Sequence, residues 1–459
     1  MFNRKKVSEV LAPNESKLFY KGVLALVLPM ALQNLINVAV TSADVIMLGT
    51  VGETVLSGSS LAGQIQFIMS LMLFGLTSGA AVLTAQYWGK GDTNTIEKVL
   101  GIAMRFSLCV CLFFTVLVLL IPRQLMMVFT NEEPVIAEGV KYLRIVALAY
   151  IPMGFTNVYL NIMRSVERVV ISTVVYSISL VCNIVLNSIF IFGLLGSPAM
   201  GIEGAALGTL ISRLVEVLIV FVYMHRINRM IRIRVKAIFT RNAVLFRDFL
   251  RYSIPVMLNE LAWGAGVAMN SVVIGHMGSA AVAANSVAQT ARQLSTVVAF
   301  GIANAAAIMI GKAIGAGNNQ RAEEYGRRFT RLTIYAGLAA SAVVLLVRPI
   351  VLHTMTLTPQ AQQNLSMMML IMSYFVFGQA YNTTMVVGIF RAGGDTRFGL
   401  VLDVSTMWGC SILLGALAAF VFRWNLTIVY MLLLSDEVIK IPLTTWRYRS
   451  KAWLRNLTR

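Results

Sequence analysis

Charge is scarce in this chain. Only 13% of its 459 residues are Asp, Glu, Lys or Arg, against about 25% in an ordinary soluble domain. Histidine is rarer. His225, His276 and His353 stand apart at the ends of apolar runs, which excludes a histidine metal cluster. The four cysteines (Cys109, Cys111, Cys182, Cys410) all lie inside apolar runs. That placement excludes a disulfide framework or a zinc pattern and suits small core residues. Walker motifs, catalytic triads and metal-ligand clusters are also missing, which argues against an enzyme and against ATP-driven transport by this chain. The first twenty residues lack the apolar core and cleavage site of a signal peptide, so the first apolar helix is expected to stay in the membrane.

Apolar residues are abundant instead, at 58% with a mean hydropathy of +0.76. Runs of about 18 residues or more, each able to cross the hydrocarbon as a helix, recur along the whole chain. They predict an all-α integral membrane protein with twelve transmembrane helices, at 21–48, 54–87, 97–121, 134–163, 169–195, 201–224, 248–275, 280–311, 329–352, 360–390, 397–422 and 427–446. A β-barrel would alternate in short segments instead.

The net charge of +18 could suit nucleic acid, but its distribution points elsewhere. Lys and Arg concentrate in the N-terminus, 90–98, 164–168, 226–251, 312–331, 391–397 and the C-terminus, whereas the opposite connections hold Arg123, Arg348 and Arg423. The positive-inside rule then places both termini in the cytoplasm, with the chain in the inner membrane and no nucleic-acid partner. The basic stretch 225–247 reads either as a partly helical linker on the anionic leaflet or as a solvated loop.

Residues 29–92 and 255–318 repeat one design at a constant offset. Pro29 matches Pro255, "IMLGTVG" (46–52) matches "VVIGHMG" (272–278), Gly75 matches Gly301, and "GKGD" (89–92) matches "GAGN" (315–318). Further on, "LNIMRS" (160–165) matches "VGIFRA" (387–392), and Pro122 matches Pro349. Two similar halves of six helices each are expected: an N-terminal bundle (1–224), a basic linker (225–247) and a C-terminal bundle (248–459). An even number of helices per half makes the copies parallel, related by a pseudo-two-fold along the membrane normal. The natural substrate path lies between them.

An ionised group at membrane depth is costly and needs a reason. Asp44 lies on the first span, and Gln33, Asn37 and Thr41 place a polar stripe along its helix. A carboxylate there suits binding a cation or proton; the alternatives are capping a neighbouring helix or pairing with a distant Arg. Asn183 and Asn187 share a face of the fifth span at i, i+4. Their oxygens suit either a hard cation such as Na⁺ or interhelical hydrogen bonding. Glu260 on the seventh span is a second intramembrane acid. The copies differ at both acids, because Asp44 falls on Asn270 and Glu260 on Asn34. Arg213 with Glu216, and Glu437 with Lys440, are spaced for local pairing. Asp403 has no local partner, and Asp395 with Arg397 marks a turn or a gating salt bridge.

"P-x14-D-x-x-M-x-G-x-x-G" (29–52), "GKGD" (89–92) and "CNIVLNSIFIFGLLGSPAMGIEGAALGT" (182–209) resemble the multidrug and toxic compound extrusion (MATE) family, and the likeness covers nearly the whole chain. The resemblance implies a cation-coupled antiporter expelling organic, often cationic and aromatic, compounds by alternating access. It assigns the cation site, for H⁺ or Na⁺, to Asp44, Asn183, Asn187 and Thr209. The NorM-like branch has its seventh-span acid near Trp263 and an Asp on the tenth span, where this chain has "FGQAYNTT" (377–384), so no second cation site carries over. Gln33, Asn37, Thr41 and Glu260 are then candidates for the substrate path. A monomer with small organic substrates and no cofactor is expected. The rival is a lipid or lipid-linked oligosaccharide flippase of similar architecture.

Overall fold

The computed structural model describes residues 13–228, 230–231, 242–354 and 358–458. Twelve helical passages follow one another, with no strand among the described residues. They are α1 (Pro13–Val51), α2 (Glu53–Lys90), α3 (Thr93–Leu120), α4 (Glu133–Ser165), α5 (Val170–Phe192), α6 (Ile202–Ile227), α7 (Ala243–Gly275), α8 (Ser279–Gly315), α9 (Asn319–Thr354), α10 (359–390), α11 (Thr396–Val421) and α12 (426–449). Among the described residues, nine are long and apolar enough to cross a membrane by those properties alone. The other three are α7, α10 and α12. Charge dilutes α7, which carries Arg247, Asp248, Arg251 and Glu260. Gln379 and Asn382 are buried in α10, and α12 breaks into helices of 8 and 14 residues around Leu434 and Ser435. These polar features recur below in the cavity walls.

Helix α6 runs on to Ile227 in a widened π turn, and α7 begins at Ala243, where the Asn242 side chain accepts from the Leu245 amide. Residues 229 and 232–241 of the 225–247 stretch lie outside the described residues.

The repeated "GKGD" and "GAGN" motifs are turn chemistry. Gly91 and Gly317 adopt left-handed backbone (φ 80° and 75°) just beyond α2 and α8. Asp92 then caps α3 through the Thr95 amide, and Asn318 accepts from the Arg321 amide as α9 begins. A glycine at the left-handed position and a short acceptor after it fit two helices joined by a tight turn.

The halves meet along α2 with α7 and α1 with α8. Small residues permit close approach. A side-chain carbon on Gly75 would strike the Met257 backbone, and one on Gly79 would strike Ser253. Leu71 packs on Gly264, Gly89 on the Lys312 carbonyl, and Gly315 on the Gln86 backbone. Gln86 also donates to the Ala392 and Arg455 carbonyls. An apolar cluster including Phe19, Val23, Leu26 and Met30 of α1 joins Ile302, Ala306 and Ile310 of α8. These contacts gather at the end of the molecule that carries the start of α1 and the end of α12. Farther from that end a cavity lies between the halves.

Candidate functional site

Helices α5 and α6 assemble the first candidate site. A side-chain carbon on Gly204 would strike the Phe190 backbone, and one on Gly208 the Asn187 amide oxygen. The "G-x-x-G-A-A-x-G" pattern therefore brings α6 flush against α5. Asn187 is held between α6 and α1. Its Nδ2 donates to Asp44 Oδ1 at 2.5 Å and to Asn183 Oδ1 at 3.3 Å. Its own Oδ1 is buried with no hydrogen-bond partner. Asp44, Asn183 and Asn187 thus form one polar contact across two helices.

Asp44, Asn37, Thr41, Asn183 and Thr209 line a cavity of about 360 Å³ within the N-terminal half. Arg213 and Glu216 also line it, paired at 2.7 Å as their spacing suggests. Thr156 donates to Glu216 from α4 at 3.4 Å. Tyr142 and Tyr176 complete the polar wall. Gln33 does not join this group. It is buried, and its amide donates to Ser172 and Thr173 at 3.0 and 2.9 Å. That residue ties α1 to α5 and lies apart from the polar stripe that Asn37, Thr41 and Asp44 present to the cavity.

A second cavity of about 430 Å³ lies between the halves, and Glu260 is in its wall. Glu260 is not a lone acid, because Arg391 Nη2 meets its Oε1 at 2.6 Å. Arg391 also donates to Ser78 of the other half at 3.1 Å. Arg391 falls just past the end of α10, within the expected connection at 391–397, yet it is only 3% exposed. Helix α10 continues to Phe390 through a widened turn, which carries Arg391 into the protein. Arg164, likewise assigned to a connection, lines this same cavity.

Lys440 does not pair with Glu437 as spacing suggested. Its Nζ lies 2.9 Å from Asp403 and 2.8 Å from Asp436. Asp403 also accepts from Asn259 at 2.9 Å, while Glu437 accepts from Asn382 at 2.9 Å. Asp395 pairs with Arg447 at 2.7 Å from α12 instead of with Arg397. Lys440 with Asp436 is an i, i+4 pair within α12, but the links to Asp403 and from Arg447 to Asp395 join helices far apart in the chain, beyond the reach of such spacing. Asp403, Glu437 and Lys440 line the central cavity. Asn37 and Phe74 line both cavities, so α1 and α2 form their common wall. Among the described residues, no group of three His, Cys, Asp or Glu side chains is placed to hold a metal ion.

The MatE family model matches residues 29–189 and again 255–417, so the two matches begin at the paired Pro29 and Pro255 of the internal repeat. The probable multidrug resistance protein NorM of Mesorhizobium japonicum is 24% identical over 443 residues, spanning 94% of both chains. The probable multidrug resistance protein NorM of Thermotoga maritima is 22% identical over 435 residues, spanning 94% of this chain and 93% of that one. Two solved structures share the fold. One is a MOP superfamily transporter from Pyrococcus furiosus, described as having a binding pocket of reverse polarity that suggests a different function. It superposes with a TM-score of 0.86 at 20% identity, over 94% of this chain and 95% of that one. The other is an outward-facing multidrug resistance MATE family transporter of the MOP superfamily. Its TM-score is 0.85 at 20% identity, with the same coverage of 94% and 95%.

Proposed function

The chain belongs to the MatE family of membrane transporters, and from that membership we propose that it is a secondary antiporter exporting organic compounds in exchange for H⁺ or Na⁺. The observation that carries this reading is Asp44. It is a carboxylate at membrane depth, in a cavity wall, hydrogen-bonded to Asn187 and forming no salt bridge among the described residues. A group so placed changes its interactions when it takes up or releases a cation, and it has a reason to be there that packing does not supply.

The two cavities divide the work. The coupling ion meets Asp44 in the N-terminal half, and the organic substrate occupies the space between the halves, beside Trp263, Phe300 and Phe74. Asn37 and Phe74 face both sites. An ion that changes how α1 sits therefore changes the substrate cavity, and linkage makes the effect reciprocal. The closed contacts between α2 and α7 lie at the end carrying the two termini. With both termini cytoplasmic, those contacts seal the cytoplasmic side, and transport requires them to open while the opposite end closes.

A flippase for lipid-linked substrates is the second reading, favoured by Arg164, Arg391 and Lys440 in the central cavity. Two of the three are already neutralised, Arg391 by Glu260 and Lys440 by Asp403 and Asp436, which favours the antiporter. The deciding experiment is ethidium efflux from vesicles holding the protein, with H⁺ and Na⁺ gradients imposed separately. Efflux under one gradient identifies the coupling ion, and its absence under both removes the antiport reading.

A further inference from the structure

The internal repeat places two arginines, Arg164 and Arg391, at equivalent positions, and both line the central cavity and the narrow space beneath it. Their charges are handled differently. Arg391 is neutralised by Glu260 at 2.6 Å. The residue equivalent to Glu260 in the first copy is Asn34, which lines the same cavity. Arg164 has neutral partners instead. Its Nη2 donates to Asn161 Oδ1 at 2.6 Å and its Nη1 to Gln33 Oε1 at 3.3 Å. Its Nε is buried with no hydrogen-bond partner. Among the described residues no carboxylate pairs with Arg164.

A half-buried guanidinium without a counterion is costly, and a buried, unpaired Nε–H on it adds to the cost. The cost is offset when an anionic group enters the cavity, because a guanidinium binds carboxylates and phosphates through a fork of charge-assisted hydrogen bonds. Trp263, Phe300 and Phe74 offer apolar surface for the remainder of such a molecule. We propose that the floor of the central cavity is an anion-recognition site, in which Arg164 takes the carboxylate or phosphate group of an aromatic organic substrate. This rests on the reading of the central cavity as the substrate site. It narrows the substrates to acids and zwitterions, where charge balance at Asp44 alone would point to cations.

The test is binding of dansylglycine and its methyl ester to purified protein in detergent, without any gradient. Wild type is expected to bind the acid about tenfold tighter than the ester, the scale of one charge-assisted contact. Asn34→Glu rebuilds in the first copy the ion pair of the second, and it should reduce the preference to about twofold or less. It leaves no buried donor orphaned, so it keeps the test sound if Arg164→Gln fails to fold; where that variant folds, it should lose the preference too. Equal binding of acid and ester by wild type overturns the site, as does a preference that survives Asn34→Glu.

Short-chain lipids separate the sources. Displacement by dihexanoylphosphatidylglycerol but not by uncharged dihexanoylglycerol assigns the anion to a lipid head group. Displacement by neither assigns it to a soluble compound. Both results keep the anion site, whereas equal displacement by both lipids makes the binding merely apolar and overturns it. Lost acid preference with intact gradient-driven efflux removes this site alone. Intact preference without efflux removes the antiport reading alone.

Discussion

Asn187 donates its amide to Asp44 at 2.5 Å, while its own carbonyl oxygen, buried and unpartnered, rests against Gly208. The contact ties α1 to α5 at one carboxylate, with α6 packed behind the amide. Replacing Asp44 by Asn keeps the size and a hydrogen-bonding group but removes the charge that would take a cation. Asp44→Asn should insert and melt within a few degrees of wild type, yet lose gradient-driven efflux. Undiminished dye efflux by this variant would show that the coupling ion binds elsewhere.

Gly208 is where the sequence motif and the site geometry coincide. A methyl group there overlaps the Asn187 oxygen, and overpacking of this kind costs about 1–3 kcal/mol. Gly208→Ala should lower the melting temperature and reduce efflux by pushing the amide off Asp44. Trimming Asn187 to Ala in the same chain removes the clash. The double variant should recover thermal stability while efflux stays low. Recovery of both would mean that Asn187 only fills space.

Lys440 is buried against Asp403 and Asp436, on two helices. Removing one member of such a group strands the others, at about 3–5 kcal/mol. Lys440→Met should therefore be strongly destabilising, with a large fall in melting temperature in detergent. Adding Asp403→Asn should restore part of that loss. The two effects should be non-additive, as expected for groups in direct contact. Simple additivity would mean that the two residues do not act as a pair.

The fold was legible because the bilayer imposes a length on every apolar run, and because the repeat carries its own ruler. Asp44, Asn183 and Asn187 were legible as a group because each lies on a regular helix and matches a known motif. Arg164 and Arg391 were not, although the matched segments 160–165 and 387–392 contain both. Each lies near the end of a span, where basic residues normally face water, and only the three-dimensional path of α4 and α10 brings them inside. Lys440 was misassigned for a related reason. Glu437 is nearer to it in sequence, but the pairing with Asp403 depends on how α11 packs against α12. Gln33 lay on the same helix as the polar stripe, yet the rotation of α1 turns it towards α5.

The closed end of the central cavity makes its own prediction. Gly79 has no room for a side chain, because Ser253 of α7 occupies the space. Gly75 and Met257, one turn away, repeat the arrangement. Valine at 79 would force α2 and α7 apart where the halves are sealed. Packed interfaces of this kind switch between discrete arrangements more readily than they stretch. The expected result is a shift of population towards the state open at the other end. Ser78, beside Gly79, donates no contact that holds the seal but accepts one from Arg391, so a cysteine there reports whether reagent reaches the floor. In a chain lacking its four native cysteines, Ser78→Cys should resist an impermeant maleimide added from the side of the termini. With Gly79→Val the labelling should rise several-fold while the cavity floor becomes less accessible from the opposite side. Labelling that stays low, in protein that still melts cooperatively, would mean that the seal does not depend on α2 lying this close to α7.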